Sequence, residues 1–169
     1  MFEEAYTQAG PVKIHYKQIG AGKPLLLLHG WGGQADSFAP VALAFSGSRQ
    51  VYSIDFPGFG QSDIPPKSWD VTDYMNCLKE WMTGMGLAGC DIIAHSFGCR
   101  VAILLAARHP EMVGKMVLTG AAGLIPKRSV KYYLKVYSYK AMKWIARKSG
   151  LKRLLKALGW DVEAKIRAR

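Results

Sequence analysis

Along the chain, short stretches that are apolar at nearly every position alternate with longer stretches that are apolar at helical spacing. The runs are PLLLLHG around residues 25 to 28, QVYSID (50 to 55), CDIIAH (90 to 95) and MVGKMVLTG (112 to 120). Runs of this length, without polar alternation, fit strands buried on both faces. Ahead of them, EEAYTQ (3 to 8) and VKIHYKQI (12 to 19), the latter with Val12, Ile14 and Tyr16 alternating against Lys13, His15 and Lys17, predict two antiparallel strands joined at Gly10-Pro11. Helical spacing appears in SFAPVALAF (37 to 45), in VTDYMNCLKEWMTGMG (71 to 86) behind Asp70 as N-cap, and in FGCRVAILLAARHP (97 to 110), which Pro110 stops. Strands alternating with such helices predict an α/β fold: a mostly parallel sheet, covered on both faces, with an antiparallel hairpin at its start.

Beyond Ile125-Pro126 the pattern changes. Tyr133, Val136, Tyr137, Ala141, Trp144 and Ile145 share one helical face, and after Ser149-Gly150 so do Leu151, Leu154, Leu155 and Leu158. Charge changes at the same place. Of the 23 Lys and Arg and 12 Asp and Glu, residues 1 to 125 hold 9 and 10, whereas residues 126 to 169 hold 14 and 2. The sequence thus divides into a near-neutral body, 1–125, and a basic amphipathic helical segment, 126–169. The net charge of +11 belongs to that segment, and no nucleic-acid-binding motif accompanies it. One reading makes these helices part of a lid over a cleft; a second lays them on an anionic membrane surface.

The remaining composition narrows the class. The 169 residues suit one domain. The start, MFEEAYTQ, lacks the basic-then-apolar order of a signal peptide, and the apolar runs are too short to span a bilayer, so a cytoplasmic location is expected. The three cysteines, Cys77, Cys90 and Cys99, have no CxxC spacing, which argues against a disulfide framework or a zinc site. A packing role is expected of Cys99.

Three motifs carry chemistry, each at the end of a predicted strand. In AHSFG, Ala94 and Gly98 flank Ser96 at two positions on either side, as a tight strand-to-helix turn displaying a serine requires. In HGWGG (29 to 33) glycines let the backbone turn sharply and leave an N–H free to face an oxyanion. In DFPGFGQS (55 to 62) Pro and Gly make a rigid turn of the kind that shapes the rim of a site.

In that order, HGWGG, DFPGFGQS and AHSFG resemble the α/β-hydrolase superfamily over about residues 10 to 125. The resemblance implies Ser96 as nucleophile and the backbone N–H groups of Trp31 and Phe97 as oxyanion hole. It also implies a small-molecule substrate with an ester-like or related acyl group, no metal or organic cofactor, and a helical cap after the sixth strand, where the basic segment begins. Epoxide hydrolases and haloalkane dehalogenases of the superfamily carry Asp where this chain has Ser96. In the family an acid and then a histidine follow the nucleophile. Here no histidine follows His109, TGAAG (119 to 123) offers no carboxylate at the alternative acid position, and past Glu111 only Asp161 and Glu163 remain. The expectation is a truncated, incomplete α/β-hydrolase fold with a partial cap, lacking the acid and histidine of the triad. The alternative is a non-catalytic fragment or binding protein, associated with a membrane surface through its basic helices. Substrate identity and oligomeric state stay open.

For the other candidates the residues predict structural roles. Strand alternation points His95 away from the cleft, His29 braces its loop, and His15 and His109 are strand and helix-end residues. Asp55 bonds its own turn, and Asp63 and Asp91 are solvated.

Overall fold

A computed structural model describes residues 1–122 and 129–147, with side chains in the last segment as far as Ala141. Met1–Leu124 form one compact unit and Ile125–Arg169 a second. The predicted hairpin is β1 (Glu3–Ala9) and β2 (Val12–Ile19), paired antiparallel around Gly10 at φ +57°. The four apolar runs are β3 (Lys23–Leu28), β4 (Arg49–Ile54), β5 (Cys90–His95) and β6 (Val113–Thr119). They join the hairpin in one six-stranded sheet of order β1-β2-β4-β3-β5-β6. β2 meets β4 antiparallel, and β4, β3, β5 and β6 run parallel.

The side-chain period of a strand explains the Leu25–Leu28 run. Leu26 and Leu28 join a core with Trp81, Met75, Val101 and Leu105 of α2 (Val71–Gly84) and α3 (Phe97–Arg108). Leu25 and Leu27 point to the other face, where they meet Phe38, Val51 and Ala42 of α1 (Ala39–Phe45). A strand covered on both sides has no polar positions to alternate.

Helix ends follow local chemistry. Asp70 accepts from the Thr72 and Asp73 amides (2.7 and 3.1 Å), while the Asp73 carboxylate accepts from the Asp70 amide (3.0 Å), satisfying donors that the first turn leaves orphaned. At the other end Gly86, at φ +69°, lets the Gly86 amide reach Thr83 O (3.1 Å) and the Leu87 amide reach Met82 O (2.8 Å), so α2 stops short of the predicted residue 86. The helix predicted over 37 to 45 is split: a 3-10 turn, Ala35–Phe38, leads into α1, whose first turn holds Pro40.

In the second unit, α4 (Val130–Arg147) covers the first predicted amphipathic stretch. The second, with Leu151, Leu154, Leu155 and Leu158, lies outside the described residues, as do Asp161 and Glu163. No helix among the described residues is long and apolar enough to cross a membrane.

Asp91 departs from the expectation of a solvated residue: it is buried at the start of β5. Its carboxylate accepts from the Lys115 amide of β6 (2.9 Å), from the Arg49 guanidinium of β4 and from Lys23 Nζ of β3 (3.3 Å), clamping three strands at one edge. The Lys115 amide first, then Arg49 and Lys23, hold the carboxyl well below the usual carboxylate range. A depressed folded-state pKa stabilises the fold above the unfolded value of about 3.9, and that contribution disappears as pH falls through the folded value. Asp91→Asn is therefore expected to lower the melting temperature by a constant amount at neutral pH. The gap between variant and wild type should narrow as pH drops below about 4. A gap that is the same at pH 3 and pH 7 would contradict this account.

Candidate active site

Ser96 stands between β5 and α3 with φ +48° and ψ −104°, the one non-glycine residue with positive φ among the described residues. Such a backbone is costly for a residue with a Cβ and persists only where its surroundings impose it. They do so here from both sides. The Ser96 amide donates to Thr119 O of β6 (3.0 Å), and Ser96 O accepts from the Cys99 amide (3.2 Å). Gly98 lets α3 press on the end of β3, because a Cβ there would stand 2.5 Å from Leu28 O and 2.8 Å from His29 O. The serine side chain does not cap α3. The first amides of that helix, beginning at Phe97, thus face the serine end without a side-chain acceptor from it.

HGWGG forms the neighbouring loop. The Gly33 amide donates to Gly30 O (2.9 Å), and Gly32 takes φ +77°, the positive φ that a type II turn needs at its third residue. Trp31 occupies the second position, so its amide lies outside the turn's own hydrogen bond. His29 braces this turn, as the sequence suggests. Its Nε2 accepts from the Phe56 amide (3.0 Å), which places the ring proton on Nδ1, and Nδ1 donates to Gly30 O (2.7 Å). Burial lowers the pKa of His29, favouring this neutral form. With both nitrogens occupied, His29 is not free to move a proton.

Asp55 does bond its own turn, accepting from the Gln61 amide (2.9 Å), and it also reaches much farther. It accepts from the Ala35 amide just past HGWGG and from His15 Nδ1 of β2 (2.8 Å). His15, expected to be a bystander, is fully buried and forms part of this bracket. Gly60 is the close-approach glycine, since a Cβ there would fall 2.1 Å from the Asp55 carboxylate. Two of the motifs are therefore physically tied: DFPGFGQS anchors HGWGG and the residue just past it through the Phe56 amide on His29 and through Asp55 on the Ala35 amide.

The HGWGG loop, the residues around Phe38 and Val41, and the ends of β5 and β6 line a cleft of about 500 Å³, to which no residue of DFPGFGQS contributes. Its lining combines the polar side chains of Ser96, His95 and Thr119 with the apolar ones of Trp31, Phe38 and Val41. The Trp31 ring is exposed yet held edge-on against Phe59 (4.9 Å between centroids) and Phe97 (5.2 Å). His95 corrects the alternation argument: it lines the same cleft as Ser96, its neighbour in sequence. The period-2 rule holds only within a strand, and β5 ends at His95 before the chain takes the positive-φ turn. Thr119 went unnoticed in the sequence because only the β5–β6 register brings it opposite His95.

The thiols offer no competing nucleophile. Burial pushes Cys77 up to about 12 and Cys90 up to about 11, and it raises Cys99 as well. Cys99 packs as expected, its Sγ toward Ala94 O (3.2 Å). No cluster of three metal-ligating side chains occurs among the described residues.

Comparison with known proteins agrees with this architecture. Residues 23–162 match the family described as alpha/beta hydrolase fold. The chain is 32% identical over 120 residues to the 2-hydroxymuconate semialdehyde hydrolase of Pseudomonas sp. (strain CF600), an alignment covering 69% of this chain and 42% of that protein. It is 35% identical over 104 residues to the pimeloyl-[acyl-carrier protein] methyl ester esterase of Shewanella woodyi, covering 62% and 38%. The crystal structure of a bacterial membrane phospholipase A superposes with a TM-score of 0.72 at 31% identity, covering 76% of this chain and 42% of that one. The chain thus spans about two fifths of the length of the relatives it matches. With the sheet order, the turn at Ser96 and a family match across most of its length, the chain belongs to the alpha/beta hydrolase fold family.

Proposed function

We propose that this chain carries the nucleophile and the oxyanion donors of a serine hydrolase acting on an ester-like or related acyl substrate. The observation that carries the reading is Ser96 itself, a strained, non-glycine residue held at the head of a twelve-residue helix and on the wall of a cleft. Strain retained at such a turn has a use when the side chain must be presented to a substrate. In this reading Ser96 Oγ attacks the carbonyl carbon. The charge that develops on the carbonyl oxygen is met by the Phe97 amide, at the positive end of the α3 dipole, and by the Trp31 amide outside its turn. Apolar Trp31, Phe38 and Val41 of the lining take the acyl or leaving-group carbon chain. The ester named for the Shewanella relative supports an acyl substrate.

The classical order of serine, acid and histidine is not completed within these residues, since the one histidine after Ser96 is His109. His109 terminates α3, thirteen residues away. Turnover by the 169-residue chain is accordingly expected to be orders of magnitude below that of an intact triad, leaving what the oxyanion donors and binding supply.

A fluorophosphonate probe followed by peptide mass mapping tests the assignment. Modification at Ser96, abolished in Ser96→Ala, is expected. Modification elsewhere, or none, would favour the alternative of a non-catalytic fragment or binding protein.

A further inference from the structure

Helix α4 leaves its apolar stripe exposed and holds no carboxylate to balance its cations. We propose that α4 lies in the plane of an anionic phospholipid surface, with the stripe at the acyl boundary and its lysines among the headgroup phosphates.

The stripe follows from helical geometry. At about 3.6 residues per turn, Val130, Tyr133, Leu134, Tyr137 and Ala141 fall on one face of α4. Val130 is 76% exposed, Leu134 66%, Tyr137 63% and Tyr133 47%, so a row of large side chains with apolar bodies faces solvent. Such a row gains free energy from a nonpolar phase in proportion to the area it removes from water. Tyrosines suit the boundary of that phase, because the ring sits at headgroup depth while the hydroxyl keeps its hydrogen bonds.

The charges select the phase. Between Glu111 and Asp161 the sequence holds twelve Lys and Arg and no Asp or Glu. Lys131 and Lys135 are four residues apart in α4, as are Lys143 and Arg147, and like charges at that spacing repel along one side of a helix. A sheet of phosphates turns this repulsion into attraction. Lys131 and Lys140 border the stripe on its two sides. The Lys140 ammonium stands 5.7 Å from the Tyr137 ring centroid, so this cation lies along the margin of the stripe. A lysine placed there reaches a headgroup with its ammonium while its methylenes cover apolar surface. A nucleic acid would also meet these lysines with phosphate, but its backbone offers nowhere to bury Val130 and Leu134. A bilayer surface meets both needs.

Co-sedimentation of the whole 169-residue chain with lipid vesicles tests this. Partition onto equimolar phosphatidylglycerol and phosphatidylcholine is expected to be about tenfold or more stronger than onto phosphatidylcholine alone, and to weaken as salt rises. Joint Lys131→Gln, Lys135→Gln and Lys140→Gln should lower the partition coefficient about 100-fold, whereas arginine at the same three positions should preserve it. Joint Leu134→Gln and Tyr137→Gln, which keeps every charge, should lower it about tenfold or more. All five side chains are exposed, so the variants leave the core intact, and circular dichroism verifies this. Equal partition onto the two kinds of vesicle, or wild-type partition by either glutamine variant, overturns the proposal. Tighter retention by duplex DNA than by the anionic vesicles overturns it as well.

Discussion

Gly98→Ala is expected to destabilise the fold by about 3 kcal/mol, at the upper end of what overpacking a core position costs. The added methyl would meet not a mobile side chain but two backbone carbonyls, Leu28 O at 2.5 Å and His29 O at 2.8 Å. Relief requires either α3 to lift from the sheet or β3 to bend, and both elements lie in the main core. For a chain of this size the corresponding fall in melting temperature is roughly 6 to 12 °C. Gly84→Ala provides the contrast. Nothing lies within 4 Å of a Cβ there, and Gly84 ends α2, so that substitution should be neutral or stabilise by up to about 1 kcal/mol. Thermal unfolding followed by circular dichroism checks both. Equal melting temperatures for the two variants would refute the close approach of α3 to β3.

The second large effect separates stability from chemistry at Ser96. Ser96→Gly removes both the reacting hydroxyl and the Cβ that makes φ +48° costly. It should abolish probe modification while stabilising the fold by about 1 kcal/mol, the lower end of what a residue in a sparsely populated backbone region costs. Ser96→Ala should abolish modification equally and stabilise less, because alanine keeps the Cβ. If Ser96→Gly melts no higher than Ser96→Ala, the elbow is not a store of strain and the main support for the nucleophile reading weakens. A gain in stability on loss of the reactive group is the trade expected where backbone geometry serves presentation rather than packing.

Much of the fold was legible because burial on two faces leaves a mark in sequence. Leu25 to Leu28 had to be a strand with cover on both sides, and the alternation of Val12, Ile14 and Tyr16 had to be a strand with one face outward. The start of α2 was legible in Asp70, whose carboxylate acts within three residues of itself. The small residues around Ser96 were equally plain, since a tight turn admits few alternatives. Readings that failed depended on distance along the chain. Asp91 looked solvated because its partners Arg49, Lys23 and Lys115 come from three other strands. Asp55 does bond its own turn as read, but its reach to His15 went unseen because His15 lies 40 residues away and only the β2–β4 pairing brings it near.

The sequence by itself determined the alternation of strands and helices, the hairpin, the cap of α2 and the position of a serine in a tight turn, because each depends on steric and hydrogen-bonding rules that act within a few residues. Tertiary structure alone decided that β4 inserts between β2 and β3, that Asp55 brackets the HGWGG loop, and that His95 turns into the cleft beside Ser96. These are set by which strand edges pair and by where glycines allow close approach. Such contacts join residues from 20 to more than 60 positions apart, and no local pattern of polar and apolar residues encodes them.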